Sequence, residues 1–508
     1  RTQQPRAEQC FSVGHRTAPG RGLLMAAPRL STGSATAAPA DLPTTASRGP
    51  VLVTFRKRRN TELAMLLVAC SFGLGGWLLT GLNMTGRVPE NWPWVCGLWV
   101  GMALACHLVI RFRAPYADPL ILPCVVALNG LGLALIHRID LIPTPPRSDS
   151  YTQFIWTGLG MALFAAVLFF LRDLRRLDRF PYLLFLAGLA LLLLPLLPGL
   201  GVELNGARIW IRVAGYSFQP AEAAKIVLAI AFASYLVQKR ELLALGGHKV
   251  GPLRIPRLRD LLPIVIMWGA AMLVLVFQSD LGTALLFFGL FVMMLYVATE
   301  RPSWVIIGIG LFAVGAWLAF TLFWHVQVRV NAWLHPFENY DQNLQVISGQ
   351  FGIAWGGLTG RGWGLGRPGL TPLAKSDFIS AAAGEELGIA GLMAIIMIYA
   401  ILVSRGLRTA LASSDEFVKL LTCGLSFVFA LQVFAIIGGV TRLLPLTGLT
   451  TPFMSQGGSS LIANWVIIGL LVVISHQARK PVPLVHTGPA MAADVADLSD
   501  DQTQVVNR

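Results

Sequence analysis

Runs of about 20 apolar residues recur along this chain between residues 62 and 475, separated by short basic or Gly- and Pro-rich segments. Such a run is long enough to cross a bilayer as a helix, and in hydrocarbon only backbone that satisfies its own hydrogen bonds survives. On a rule of roughly 17–25 apolar residues per crossing, spans fall near 62–82, 92–110, 120–136, 154–171, 181–200, 220–237, 261–277, 281–298, 304–324, 387–403, 417–437 and 459–475. The pattern predicts an all-α polytopic membrane protein with about 12 transmembrane helices and one large extracytoplasmic loop. Charged residues make up 13% of the chain, against roughly 25% in soluble proteins, as that reading requires.

The net charge of +14 raises the question of nucleic acid. The basic residues are scattered through short connections, with no aromatic-interleaved basic domain to hold a polynucleotide, so no nucleic-acid partner is expected. Membrane orientation accounts for the charge instead. Arg111, Arg113, Arg172, Arg175, Arg176, Arg179, Lys239, Arg240, Arg405 and Arg408 fall in connections on the same side as the termini, as does the Arg56-Lys57-Arg58-Arg59 run. By the positive-inside rule that side is cytoplasmic. The connections 325–386 and 438–458 then face outward, and both termini face the cytoplasm.

Residues 1–60 read as a disordered cytoplasmic tail without the apolar core of a signal peptide. The chain opens on Arg1, and Met25 is read as a natural start, with the residues before it an upstream extension or a fragment edge. Residues 477–508 read as a second cytoplasmic tail. The six cysteines form no CxxC pair and no ladder of loop cysteines, so neither disulfides nor a cysteine metal site is expected. Cys106-His107 reads as span packing.

Four polar islands lie on the outer side. The first is Asn205–Trp210 with Arg212, followed by Gln219-Pro220-Ala221-Glu222-Ala223-Ala224-Lys225. The second is Gln278–Thr283. The third is the Gly-rich run Gly357–Asp377, continuing into Gly384-Glu385-Glu386. The fourth runs from Pro445 to Ser460.

Arg208, Arg212 and Lys225 have the chemistry to hold an anionic headgroup, a guanidinium gripping phosphate oxygens as a fork and an ammonium acting as a point charge. Interfacial arginines also meet lipid phosphates without any catalytic role. Lys225 differs, because it lies inside a span with Glu222 on the same helix face, and ionisable residues there pair and mark cavities. Asp377 is read either as a helix N-cap or as a reacting group: a general base, or a ligand to a divalent cation such as Mg2+ or Mn2+. Asp280 reads as a cap, and one of Glu385 and Glu386 as a partner for backbone amides or a basic residue. The glycines are no nucleotide loop, since no strand precedes them and no Gly-Lys-Ser/Thr follows. They are expected to bring backbone close to a ligand or to adopt positive φ.

Taken in order, NGARIWI, QPAEAAK, QSDLGTA, GGLTGRGWGLGRP, KSDFISAAAGEELG and PLTGLTTPFMSQGGSS resemble the SEDS family (shape, elongation, division, sporulation) of RodA/FtsW type. The resemblance covers roughly residues 150–475, and it implies a catalytic membrane core over 151–476 preceded by accessory spans over 61–150. It further implies a peptidoglycan glycosyltransferase that polymerises lipid II into glycan strands and works with a class B penicillin-binding transpeptidase. The essential Asp of the family maps onto Asp377. Gln219, Pro220, Glu222 and Lys225 match the Gln-Pro-Ser-Glu-x-x-Lys pattern. Arg208, Arg212, Arg361, Lys375, Ser459 and Ser460 complete the implied substrate-binding set.

Some positions depart from the family. Many members carry Arg where this chain has Ile209, with Arg208 one place earlier; Gln456 replaces a Tyr, and Lys375 stands where His or Ser is common. By this resemblance the undecaprenyl-linked glycan is the donor, its diphosphate held by Arg208, Arg212 or Lys225. Asp377, with an ordinary pKa near 4, orients or deprotonates the 4-hydroxyl of lipid II. Two rivals remain: a lipid II carrier, which should show related halves where no internal repeat is visible, and a non-catalytic scaffold, which would not need Asp377.

Overall fold

The computed structural model describes residues 57–481 except 143–146, 172, 205–206, 214, 246–247, 251–252 and 256–257. The expectations for residues 1–56, 482–508, Arg172 and Asn205-Gly206 lie outside the described residues, while residues 59–60 and 477–479, expected in the tails, belong to α1 and α14. The helices run α1 (Arg59–Thr85), α2 (Trp92–Arg113), α3 (Ile121–Asp140), α4 (Asp149–Phe170), α5 (Pro181–Leu193), α6 (Pro220–Leu245) and α7 (Leu258–Phe277). They continue as α8 (Leu281–Thr299), α9 (Ser303–Leu322), α10 (Trp324–Leu334), α11 (Tyr340–Gly356), α12 (Ile379–Ala412), α13 (Glu416–Val440) and α14 (Gly458–Arg479).

Each expected span overlaps a helix, although that over 181–200 leaves α5 at Leu193. Among the described residues ten helices are long and apolar enough to cross a membrane, and α5 and α7 supply two shorter apolar stretches, Pro181–Leu196 and Val265–Phe277. Local chemistry sets their ends. Prolines open α2 and α5 where a missing N–H costs nothing, and Gly86 at φ 70° closes α1. Asp280 caps α8 by accepting from the Thr283 N–H at 2.9 Å, the role expected of it.

The helix at the centre is α3, buried along its whole length. It packs on α1, where Gly73 faces Gly130 so closely that a Cβ on Gly73 would lie 2.7 Å from the Gly130 Cα. Such small-residue contacts let helices approach where lipid provides no hydrophobic drive. The pairs α4–α14, α5–α6 and α12–α13 complete the packing. By contrast α9 leaves nearly all its apolar surface uncovered, as a lipid-facing helix does. The chain is a multi-pass membrane protein.

Polar contacts gather at both ends of the helices. At one end Asp118 takes Arg479 at 2.5 Å and Arg405 at 3.7 Å, Arg175 meets Asp415 at 2.9 Å, and Arg240 bridges Glu300 and Glu416. These are the basic connections singled out by sequence. The other end carries the four polar islands.

The connections hold more structure than the apolar pattern shows. Residues 201–218 form a three-stranded antiparallel sheet of β1 (Gly201–Leu204), β2 (Ala207–Val213) and β3 (Tyr216–Phe218); β4 (His248–Val250) pairs with β5 (Leu253–Ile255). The expected 325–386 loop is largely helical, containing α10, α11 and the first turns of α12. Helix α12 starts at Ile379, before the expected 387, and breaks at Gly388, whose φ is 74°.

Candidate functional site

Asp377 lies in the turns 371–378 that lead into α12. It is not the helix cap: that position is Phe378, with no side-chain cap bond. Asp377 keeps some contact with solvent, yet protein packs around its carboxylate. Burial raises its pKa from the usual Asp range to about 6, opposed by the Ser376 hydrogen bond and the positive charge of Arg329. The ordinary value expected from sequence is thereby corrected, because desolvation of the carboxylate outweighs its favourable neighbours.

Arg329, on α10, is the cation that sequence reasoning missed. It lies within electrostatic range of both Asp377 and Asp280, and its Nη1 donates to the Thr447 carbonyl at 3.0 Å. Burial pushes the guanidinium below its ordinary range while the two carboxylates oppose that shift. Gly448, at φ 73°, leaves room for it, since a Cβ there would stand 3.3 Å from Arg329 Nη2. Asp280 is itself raised by burial, and it accepts from Gln219 Nε2 at 3.3 Å. One arginine thus ties the second, third and fourth islands together, and Gln219 brings in the first.

Glu222 and Lys225 pair as their spacing predicts, Lys225 Nζ donating to Glu222 Oε2 at 2.8 Å. The same ammonium donates to Gln432 Oε1 at 3.2 Å, and Gln432 Nε2 donates to the Thr450 carbonyl at 2.9 Å. Thr450 Oγ1 then bonds Ser460 Oγ at 2.9 Å, so Ser460 joins the network from the first turn of α14, beside buried Ser459. The fourth island closes on the third: Ser455 Oγ donates to the Ser376 carbonyl at 2.5 Å, and the Gln456 N–H to the Lys375 carbonyl at 2.8 Å. Lys375 itself is buried between Asp140 and Asp149.

The remaining predicted residues stand apart from this network. Arg208 and Arg212 are exposed on β2, and Arg208 pairs with Glu203 at 3.7 Å. Because the segment is a strand, Arg208 and Ile209 point to opposite faces, so the one-residue departure at Ile209 turns the side chain over. Arg361 is exposed, stacked on the Trp355 ring at 3.9 Å with its Nε on the Trp355 carbonyl. Among the described residues no group of three or more His, Cys, Asp or Glu side chains is placed to hold a metal ion.

The glycine-rich run takes the expected positive φ at Gly357, Gly360, Gly362 and Gly364. Where α12 breaks at Gly388, the Arg361 and Gly362 N–H groups donate to the Glu385 and Glu386 carbonyls at 3.1 and 2.9 Å. In return, the Ile389 and Ala390 N–H groups donate to the Gly357 and Leu358 carbonyls at 2.9 and 3.0 Å. The run splices the broken helix. Both glutamates serve that splice, Glu386 accepting from Arg138 at 2.7 Å and the Gly364 N–H at 2.8 Å, Glu385 from the Arg367 N–H at 2.5 Å.

Comparison with known proteins agrees with this architecture. The FtsW/RodA/SpoVE family model, described as cell cycle protein, matches residues 119–480. The peptidoglycan glycosyltransferase RodA of Mycobacterium tuberculosis is 46% identical over 447 residues, covering 86% of this chain and 95% of that protein. A probable peptidoglycan glycosyltransferase FtsW of a Geobacter species is 30% identical over 377 residues, covering 71% and 97%. Among solved structures, a chain from work on coordinated polymerization and crosslinking by a peptidoglycan synthase complex matches with TM-score 0.58 and 26% identity, over 72% of this chain and 99% of that one. The rod shape determining protein RodA of Thermus thermophilus matches with TM-score 0.52 and 27% identity, over 72% and 98%. The chain belongs to the SEDS (FtsW/RodA/SpoVE) family, as a RodA/FtsW-type peptidoglycan glycosyltransferase.

Proposed function

We propose that the chain polymerises lipid II at the outer face of the bacterial plasma membrane, with Asp377 as the general base. The observation that carries this reading is the convergence of four sequence-distant islands on one carboxylate that feels the positive charge of Arg329. The end of the helices that carries Asp377 is opposite the Arg-rich end, and the positive-inside rule turns it outward. Cytoplasmic nucleotide donors do not reach that side, whereas a lipid-diphosphate sugar arrives already activated.

In this mechanism the Asp377 carboxylate takes the proton of the acceptor 4-hydroxyl as its oxygen bonds the donor's anomeric carbon. The bond from that carbon to the diphosphate breaks, and undecaprenyl diphosphate leaves. A pKa of about 6 leaves Asp377 ionised at neutral pH yet more basic than an ordinary aspartate. Arg208 and Arg212, exposed on β2, are assigned to the diphosphate headgroup, while Lys225 is paired with Glu222 and tied to Gln432. A Mg2+ or Mn2+ ion bound with substrate phosphates commonly takes one or two carboxylates; Asp377 fits that donor set, and such an ion would neutralise diphosphate charge.

The transpeptidase partner is assigned to class B of the penicillin-binding proteins. The greater identity to RodA than to FtsW relatives supports a role in elongation. The test is polymerisation of lipid II by the purified chain with candidate class B partners. Glycan strands support the reading, and transport of lipid II across liposomes without polymer would replace it with the carrier.

A further inference from the structure

Lys375 stands two residues before Asp377, and its side chain is committed to other protein groups. It is 8% exposed, and Nζ donates to Asp149 Oδ2 at 2.8 Å and to Asp140 Oδ1. Asp140 is the last residue of α3 and is 1% exposed. Its other oxygen accepts the Ser150 N–H at 2.7 Å, and its carbonyl accepts the Arg147 N–H at 2.9 Å. The two carboxylates therefore come from the facing ends of α3 and α4, which are themselves bonded together. An ammonium answered by two carboxylates has no charge left over for a diphosphate. This geometry commits Lys375, expected among the substrate-binding residues, to protein carboxylates.

The main chain of the same segment is held from another direction. The Lys375 and Ser376 carbonyls accept from the Gln456 N–H and the Ser455 hydroxyl, as described above. Gln153 on α4 steadies that strip in turn, its Nε2 donating to the Ser455 carbonyl at 3.0 Å and its Oε1 accepting from the Gly457 N–H at 3.3 Å. So α4 grips the residues before Asp377 twice, through the side chain of Lys375 and through the 455–457 strip. Without these ties the segment is a run of turns, and displacement of a reacting group by about 1 Å can cost on the order of 100-fold in rate.

We propose that Lys375 is a positioning residue, which pins the Asp377 segment to the ends of α3 and α4 through Asp140 and Asp149. The proposal rests on Asp377 as the reacting carboxylate. It makes Asp140 at the end of α3 and Asp149 at the start of α4, far from Asp377 in sequence, part of the catalytic geometry.

The test measures initial rates of lipid II polymerisation against lipid II concentration, using the full-length chain in proteoliposomes. The variants are Lys375→Met, Lys375→Arg, Asp149→Asn and, as reference, Asp377→Asn. Lys375→Met is expected to lose roughly 10- to 100-fold in kcat with KM nearly unchanged, and Lys375→Arg to recover most of that loss. A rise in KM with kcat retained in Lys375→Met would overturn the proposal by returning Lys375 to substrate binding, and equal losses in Met and Arg would overturn it too. If Lys375→Met does not fold, Asp149→Asn decides: a smaller loss in kcat alone supports the pin, and unchanged kinetics or a KM effect contradicts it. Full activity of Asp377→Asn would remove the base reading itself. An inactive Asp377→Asn beside wild-type kinetics in Lys375→Met removes only the pin.

Discussion

Gly388 and Gly360 meet backbone against backbone: a Cβ on Gly388 would collide with the Gly360 nitrogen and the Leu358 carbonyl oxygen. Both residues also have positive φ, 74° and 84°. With φ 74° and ψ −179° Gly388 sits in a backbone region essentially reserved for glycine, so a side chain there meets a cost of about 1–3 kcal/mol, together with a clash that only movement of the splice relieves. Gly388→Ala is expected to lower the thermal midpoint of the purified protein by several degrees and to reduce activity. An unchanged midpoint would contradict the splice.

The pH dependence follows from Asp377. A general base must be ionised, so kcat is expected to fall as pH drops through about 6. The stability effect has the opposite sense. Burial raises this carboxyl above its unfolded value near 4, so its contribution to stability is present below pH 4 or so and is lost as pH rises through about 6. Asp377→Asn should then be at least as stable as wild type at neutral pH, with the difference shrinking in acid. Thermal scans at several pH values check the sign.

Arg329 lowers the pKa of Asp377 through its charge. Arg329→Gln removes that charge and also the donor to the Thr447 carbonyl. The acid limb of the rate profile is expected to move to higher pH, with kcat reduced. A profile that stays in place would separate Arg329 from the base.

Glu222 and Lys225 are expected to behave as a unit. Removing one member of a buried ion pair strands the other and typically costs about 3–5 kcal/mol, whereas replacing both often costs far less. Lys225→Met should therefore be markedly less stable than the Glu222→Gln/Lys225→Met double variant. Additive losses in denaturation experiments would count against the pair.

The spans were legible because about 20 apolar residues in a row carry their own explanation. The Glu222–Lys225 pair and the Asp280 cap were legible for a similar reason, since each is made within one turn of helix. What the sequence hid depends on distant partners. Arg329 has meaning only beside Asp280, Asp377 and Thr447, and Lys375 reads as a substrate-binding residue until Asp140 and Asp149 close on it. Helices α10 and α11 carry too many polar residues to show as spans, so they read as loop, although Asn343, Val346 and Ile347 mark a buried face on α11. The glycine run suggests positive φ, which the structure has at Gly357, Gly360, Gly362 and Gly364, whereas the backbone that Gly360 meets is the broken turn of α12, a partner distant in sequence.

The most direct measurement is lipid II polymerisation by Asp377→Asn against wild type, paired with lipid II binding by the same two proteins. A positioned base contributes roughly 100- to 10,000-fold. The account predicts a loss of that size in polymer formation with binding retained and a folded, stable protein. Polymer formed by Asp377→Asn at the wild-type rate would contradict it.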